Sequence, residues 1–394
     1  MADRGDLTAR AVSDHSVEVK VTSPVVAKLS WGQVHAFRLA GHHLVERAPK
    51  EDLLEVTGDI GGAQAQVMSA AELQIASRSE CGVSDVRDAL WRDRSLVKTW
   101  LMRGTLHLIP ARDLPIFTTA IAGRSMTFRP SWVKYFGTTQ AELARLTLSI
   151  GSLVNGRPMT REEIVAAVGK GQPERIREYL KSGWGGFLKP AARMGLLCFG
   201  PSRGQSVTFV NPRQWLGSWR EVDPDVALAE VARRYLHAYG PATRQDFALW
   251  FGHWPGVGPA AWEALKDELA TVSVDGRIAQ MLAADLKRVP SAPRGQVRLL
   301  ASFDPYLMGW ASRAHLFDAS HRAKVSRTAG WISAVLLVDG RVEGTWTHAI
   351  SKHTLQVRLV PFEPLRSRVV TQARRRAAEL ARSLGVARAE MTIA

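Results

Sequence analysis

An α+β fold of repeated winged helix-turn-helix units, followed by a C-terminal β-rich domain, is predicted by three features of this sequence. Its 394 residues exceed what one compact core organises, so two to four packed units are expected. An order of helix, helix, helix and short strand recurs before the last quarter of the chain. From about Val297 the pattern turns to β, with apolar runs punctuated by an Asp-Gly turn signal.

Residues 1–25 are polar and lack periodicity, so a flexible N-terminal arm is expected. Between Leu29 and Arg47, Trp31, Val34, Phe37, Ala40 and Leu44 fall at three- and four-residue steps and predict a helix with one apolar stripe. Ser69, with Glu72 three residues later, has the form of a capping box opening a second helix. Ser84 is placed to cap a third, read as running on through "LVKTW" towards Gly104. The run Thr105 to Ile109 then reads as a strand stopped by Pro110. Together these form a first unit over 26–135.

A second unit, 136–222, contains a helix capped by Thr160 with Glu163 at the box position, and the short basic helix of "GGFLKPAARMGLLCFG". Its hairpin has Pro201, Ser202, Arg203 and Gly204 at the tip. A third, 223–296, takes in "VALAEVARRYLHAYG", "TRQDFALWFG" and "GPAAWEALKDEL" as helices and a hairpin turning at Asp275-Gly276. The domain over 297–394 has strands about an Asp339-Gly340 turn, and the basic helix "TQARRRAAELARSLG" closes it.

The net charge of +15 and pI near 10.3 favour a polyanionic partner, because each cation docked on a phosphate releases condensed counterions. Arginine outnumbers lysine more than three to one, which suits bidentate phosphate recognition and also a GC-rich coding bias. Thirteen tryptophans mark buried anchors or flat stacking surfaces. Cys81 and Cys198 stand far apart, which argues against a disulfide framework or a zinc site. His42 and His43 have no third ligand close in sequence, so no metal and no cofactor is expected. The N-terminus has no apolar signal core, and no apolar run approaches the roughly 18 residues of a membrane span. A cytoplasmic, nucleoid-associated protein is expected, and nothing demands more than a monomer.

The stretch "GGAQAQVMSAAELQ" sets Gln64 and Gln66 either side of Ala65, with no acidic residue or histidine beside them. In an extended segment the two amides share one face and Ala65 takes the other. In a polar loop such a pair is ordinarily solvated surface. Arg103 and His107, Lys189 and Arg193 four apart on a short helix, and Arg203 at a hairpin tip are candidate phosphate contacts. Asp304 and Tyr306 are candidates for stabilising a turn or supporting the site.

Four stretches in this order, "GAQAQ", "WLMRGTLHLIPARDL", "FDPYLMG" and "LLVDGRVEGTW", give the sequence a resemblance to the winged-helix DNA glycosylases of the AlkZ type over roughly 30–390. The resemblance implies three tandem winged-helix units in a C-shaped arrangement with a C-terminal β domain. It implies excision of alkylated purines from double-stranded DNA and unhooking of interstrand crosslinks, with self-resistance to a DNA-alkylating natural product as a setting. Residues 310–313, within "GWASRAHLFD", are less charged than that pattern leads one to expect.

In that setting Gln64 and Gln66 become catalytic candidates. A purine alkylated at N7 already carries positive charge and departs as a neutral base, so little acid catalysis is needed. What remains is to hold a water at the far face of the sugar and to stabilise an oxocarbenium-like transition state. An amide oxygen can orient that water and its NH₂ can anchor a sugar or phosphate oxygen, although an amide is no general base. No lysine is placed for Schiff-base chemistry, so a monofunctional glycosylase is expected. The alternative is a winged-helix regulator without chemistry; a nuclease lacks the acidic cluster it would need.

Overall fold

The computed structural model describes residues 24–394 except 124–127, 129, 184 and 253. The arm expected over 1–25 lies almost wholly outside the described residues. The chain enters through β1 (Ala27–Leu29) and α1 (Trp31–Gly41), the latter opened by a capping box in which Ser30 accepts from the Gln33 N–H.

There follow α2 (Leu53–Asp59), β2 (Ala63–Gln64), α3 (Met68–Ala76), α4 (Val83–Trp91), β3 (Leu96–Trp100) and β4 (Leu106–Pro110), closed by an antiparallel sheet in the order β2-β4-β3. Helices α5 (Leu114–Ala122) and α6 (Pro130–Phe136) lead to the next repetition. This comprises α7 (Gln140–Leu153), β5 (Met159–Thr160), α8 (Arg161–Val168), α9 (Glu174–Lys181), α10 (Leu188–Arg193), β6 (Cys198–Arg203) and β7 (Ser206–Val210), with sheet order β5-β7-β6. After α11 (Pro212–Trp215), the third has α12 (Pro224–Tyr239), α13 (Arg244–Phe251), α14 (Val257–Ala264), β8 (Leu269–Val274) and β9 (Arg277–Leu282). Its sheet is completed by β1, parallel to β8.

The C-terminal part is a five-stranded sheet, β10 (Val297–Leu300), β11 (Val335–Val338), β12 (Arg341–Ser351), β13 (Thr354–Pro361) and β14 (Arg388–Ile393), in chain order. The small helix α15 (Arg322–Val325) and the long α16 (Ser367–Ser383) complete it. Among the described residues no helix is long and apolar enough to cross a membrane.

Several local expectations are met. Thr160 caps α8 with Glu163 in a capping box, and Asp275-Gly276 and Asp339-Gly340 form two-residue hairpin turns with positive φ at each position. Others are corrected. "LVKTW" is strand β3, paired with β4 from Leu96↔Pro110 to Trp100↔Leu106. Its Leu96, Val97, Thr99 and Trp100 are all buried, so both faces are covered and the alternation that marks a half-buried strand is missing.

Ser69 lies inside α3, whose N-cap is Val67, and Ser84 lies inside α4, where Gly82 is the cap and donates its N–H to Asp85. The hairpin between β6 and β7 turns at residues 204–205, so Pro201 to Arg203 belong to the strand. The basic helix is not the last element: β14 follows it and pairs parallel with β13.

The first repetition meets the C-terminal part through a fully buried ion pair. Arg78, just past α3, donates from Nη2 to Asp304 Oδ1 at 2.7 Å and from Nη1 to Oδ2 at 2.9 Å, with both side chains 0% exposed. Asp304 also accepts the Tyr306 N–H at 2.9 Å, and Tyr306 donates its hydroxyl to the Gly340 carbonyl at 3.2 Å. Removing one member leaves a buried uncompensated charge. Arg78→Met or Asp304→Ala is therefore expected to cost about 3–5 kcal/mol, read as a lowered urea midpoint. Replacing both with apolar residues is expected to restore much of that loss.

Candidate active site

The motif begins where α2 gives way to Gly61 and Gly62. Gly62 has φ 91°, and a Cβ there would lie 2.9 Å from the Leu108 carbonyl oxygen. Only glycine lets β2 come this close to β4 in that conformation. Gln64 then pairs opposite His107, and the Ala65 N–H donates to the Leu106 carbonyl at 2.7 Å. Ala63 and Ala65 enter an apolar cluster with Ile60, Ala71 and Leu108. Gln64, the last residue of β2, points to the other face, and Gln66 lies two residues past the strand, in a bend. They differ in depth: Gln64 is 5% exposed and Gln66 is exposed.

The β3–β4 connection supplies the polar partner. Arg103 adopts φ 56° and Gly104 φ 68°, a sharp reversal that directs the guanidinium back across the sheet. Arg103 Nη2 donates to Gln64 Oε1 at 3.2 Å, and Nη1 donates to the Trp250 carbonyl at the end of α13 at 2.6 Å. Gln66 Oε1 accepts the Leu106 N–H at 3.2 Å. A guanidinium and a backbone N–H can only donate, so both amide oxygens are pinned inward. Each oxygen keeps a second lone pair, and among the described residues the Gln66 NH₂ has no hydrogen-bond partner.

The electrostatics are sparse. His107 is 2% exposed, and its Nδ1–H donates to the Thr105 carbonyl at 3.0 Å. Burial, with the Arg103 charge second, pushes its pKa down to about 3, so the ring is neutral at physiological pH. Burial also pulls the Arg103 guanidinium down to about 10, which leaves it cationic. Two carboxylates packed with the same elements are already engaged. Glu72 is bound by Arg87 at 2.6 and 3.0 Å, and Asp304 by Arg78. The motif thus presents neutral amides beside the Arg103 cation. Among the described residues no cluster of three or more His, Cys, Asp or Glu side chains could hold a metal ion.

Gln64, Gln66, Arg103 and His107 come together. Arg193 of α10 approaches them, its Nη2 standing 2.7 Å from where a Cβ at Gly104 would project; it is the positive φ of Gly104 that favours glycine there. Lys189, one turn earlier on α10, is half-buried, and desolvation with the Arg193 charge lowers its pKa. Arg203 stands apart at the end of β6, donating to Glu163 Oε1 at 3.0 Å and to the Pro158 carbonyl at 2.9 Å. The ring of His107 has no exposed edge for a phosphate, so the contact expected from the sequence is corrected here: the ring orders the hairpin. Asp304 and Tyr306 are wholly buried, remote from solvent. In the 310–313 segment, Trp310 Nε1 donates to the Tyr239 carbonyl at 3.1 Å and Arg313 Nε to the Leu307 carbonyl at 2.7 Å.

Gln74 also supports the motif. This fully buried amide on α3 donates from Nε2 to the Gln64 carbonyl at 3.3 Å and to the Ser302 carbonyl at 2.9 Å. Its signal was present: one glutamine amid the apolar residues Ala70, Ala71, Leu73, Ile75 and Ala76. Trp250, acting through its backbone carbonyl, left no trace in the side-chain pattern.

Comparison with known proteins gives concordant results. The family described as DNA glycosylase AlkZ-like matches residues 57–385. An interstrand DNA cross-link repair glycosylase of Streptomyces sahachiroi is 37% identical over 374 residues, covering 93% of this chain and all of that protein. The solved structure of Streptomyces sahachiroi DNA glycosylase AlkZ superposes with a TM-score of 0.83 at 36% identity, again over 93% of this chain and all of that one.

The neutral burial of His107 has a pH consequence that it shares with three other histidines. His35 is held at about 3, chiefly by burial, and His42 and His315 are pushed well down by the same cause. The folded-state values lie below the unfolded one near 6.5, so on acidification the unfolded chain takes up protons that the fold refuses. Stability is complete above about pH 6.5 and falls as pH drops below it, by roughly 1.4 kcal/mol per pH unit for each such group. Urea midpoints measured from pH 7.5 to 5 should fall steeply at the acid end, and His107→Phe should flatten that slope.

Proposed function

The chain belongs to the AlkZ-like DNA glycosylases, and from that premise we propose that it hydrolyses the N-glycosidic bond of N7-alkylated purines and unhooks interstrand crosslinks built on them, with Gln64 and Gln66 as its catalytic residues. The observation that carries this reading is the pair of amides whose oxygens are fixed by Arg103 and the Leu106 N–H, while the carboxylates packed with the same elements, Glu72 and Asp304, are already engaged. Such an arrangement suits a leaving group that is already cationic and poorly suits a normal base.

In the proposed reaction a water held by the free lone pairs of the two amide oxygens attacks C1′ from the face opposite the base. The bond from C1′ to the base nitrogen breaks with its electron pair going to the purine, which leaves neutral. The water's proton passes to solvent. Fixed amide dipoles favour the developing sugar cation without carrying a charge that must be desolvated. Arg103 works against such a cation unless its own charge is met by phosphate. It is therefore assigned to the DNA backbone next to the lesion, with Arg193 and Lys189 alongside and Arg203 at a more distant contact.

Helix, short strand, helices and hairpin recur in the first two repetitions, and the third repeats the helices and hairpin with β1 completing its sheet, which supports reading 26–135, 136–222 and 223–296 as three winged-helix units. They would present a concave basic face that reaches a bulky lesion without rotating it into a tight pocket, since full extrusion costs roughly a few kcal/mol even for an unlinked base. The enzyme is proposed to act as a monomer on duplex DNA at the nucleoid, with resistance to a DNA-alkylating natural product as its setting.

Base release from duplexes carrying N7-alkylguanine or a defined purine crosslink tests the assignment. Gln64→Ala with Gln66→Ala should lower single-turnover excision by about 10²–10³-fold while leaving DNA affinity near wild type. Excision at the wild-type rate would sink the proposal. Arg103→Met should weaken binding to undamaged and damaged duplex alike, and should reduce the slope of log affinity against log salt by about 1.

A further inference from the structure

A short projecting hairpin that the proposed reaction leaves unused is tied to the glutamine motif. Residues 325–333 fold back on themselves. The Ser333 N–H donates to the Val325 carbonyl at 2.9 Å, the Arg327 N–H donates to the Trp331 carbonyl at 2.8 Å, and Ser326 bridges antiparallel to Ile332. At the tip Ala329 and Gly330 take φ 57° and 74°, and Trp331 follows them. Alanine rarely adopts that conformation, and such outliers gather where a side chain must be presented. The side chain presented is an indole. Trp331 is 40% exposed and, among the described residues, is the one tryptophan left exposed. The core residue Phe303 meets it edge-on, with ring centroids 4.9 Å apart, so the ring is braced from within while much of it faces water.

Two links join this hairpin to the motif. The Phe303 N–H donates to the Ile332 carbonyl at 3.2 Å, and the Ser302 carbonyl just before it shares the Gln74 amide with the Gln64 carbonyl. From another side, Arg313 Nη1 donates to Ser326 Oγ at 3.1 Å. The Arg313 charge is felt at Arg103, where burial is the first cause of the lowered pKa and Arg313 a lesser one. The surroundings are cationic. Arg322, Lys324 and Arg327 are exposed, and among the described residues none of them has a carboxylate within ion-pair distance. Lys324 Nζ lies 5.4 Å from the Phe362 ring centroid, and the nearby Asp318 is held by Arg341 at 3.2 Å. The exposed neighbours at the tip, Thr328, Ala329 and Gly330, are small, so there is no contiguous apolar patch for a protein partner. One flat aromatic ring among unpaired cations matches the bases and phosphates of a nucleic acid.

We propose that Trp331 is a base-stacking contact: it stacks on the base pair beside the lesion, while Arg322, Lys324 and Arg327 take phosphates of the same stretch of duplex. The inference rests on the glutamine motif being the lesion site. Stacking on an indole is tolerant of sequence because every base offers a π-face. An apolar side chain inserted at a base step also opens the stack there, which brings the C1′ of a bulky adduct towards the amides without extruding its base.

Full-length protein is tested on a duplex carrying N7-methylguanine, stabilised against hydrolysis by a 2′-fluoro sugar, with 5-iodouracil in the neighbouring pair. Irradiation should crosslink the probe to Trp331, located by peptide mass spectrometry, and a probe one helical turn away should not reach it. Crosslinks confined to other residues overturn the proposal. Trp331→Ala should weaken affinity for this duplex about tenfold, and Trp331→Phe should keep most of it; wild-type affinity in Trp331→Ala overturns the proposal. Replacing Arg322, Lys324 and Arg327 together with Gln should reduce the slope of log affinity against log salt by about 2–3, and an unchanged slope overturns the phosphate contacts. None of these readouts needs base release. A Trp331 crosslink in a protein that excises nothing supports this contact and sinks the glutamine mechanism alone. Excision that depends on Gln64 and Gln66, with no crosslink at Trp331, sinks this inference alone.

Discussion

The bidentate contact between Arg78 and Asp304 is the constraint on which the placement of the motif depends. It is buried at 0% exposure on both sides and joins the end of α3 to the turn before Tyr306. Such pairs add little net stability against an apolar replacement, but they tolerate almost no displacement. Arg78 also donates to the Gln74 backbone carbonyl at 2.9 Å, while the Gln74 side chain holds the Gln64 and Ser302 carbonyls. The position of Gln64 is therefore set from two sides, by its strand partner His107 and by a segment more than two hundred residues away. A short motif on a two-residue strand acquires the rigidity of a whole interface.

Much of this plan was legible in the sequence where local chemistry decides structure. The Asp-Gly turns and the Thr160 box are short-range signals and survive folding unchanged, whereas the stripe expected for α1 does not: Ala40 is exposed, Leu44 lies past the helix end, and His35 and Arg38 are buried beside Val34 and Phe37. The glutamines stand out in the sequence as two amides around one alanine, but Gln66 lies past the end of β2, so strand alternation alone does not orient it. The misreadings have a common cause. Leu96 to Trp100 is a strand covered on both faces, so its periodicity vanished, and the serines at 69 and 84 looked like caps until packing moved the helix starts. His107 was a candidate phosphate contact because nothing local says that it will be buried in the sheet opposite Gln64. The final strand β14 depends on pairing with β13 and has no hairpin partner adjacent in sequence to betray it.

Charge gives a second lesson. A net +15 suggests a surface made for polyanions, yet Arg38, Arg78 and Arg298 are almost wholly buried. Arg38 donates to the Tyr239, Gly240 and Pro241 carbonyls and lies 3.8 Å over the Trp310 ring. Arg38 and Arg298 satisfy buried backbone carbonyls and Arg78 a buried carboxylate, a task for which the planar fork with five donors is suited. Composition counts them as docking charge, whereas the fold uses part of the arginine excess as internal scaffolding.

The entry of the chain through β1 has a mechanical meaning. Residues 27–29 lie beside β8, and α1 packs on α12, before the backbone crosses to α2 and begins the first repetition. The polypeptide later returns to β8 after passing through the second. It thus describes a closed circuit fastened by a parallel strand pair, like a belt whose buckle is β1. Spreading the first and third repetitions apart must draw tight the short span 42–52, so a widening large enough to admit distorted DNA would be resisted by tension in this span as well as by lost contacts.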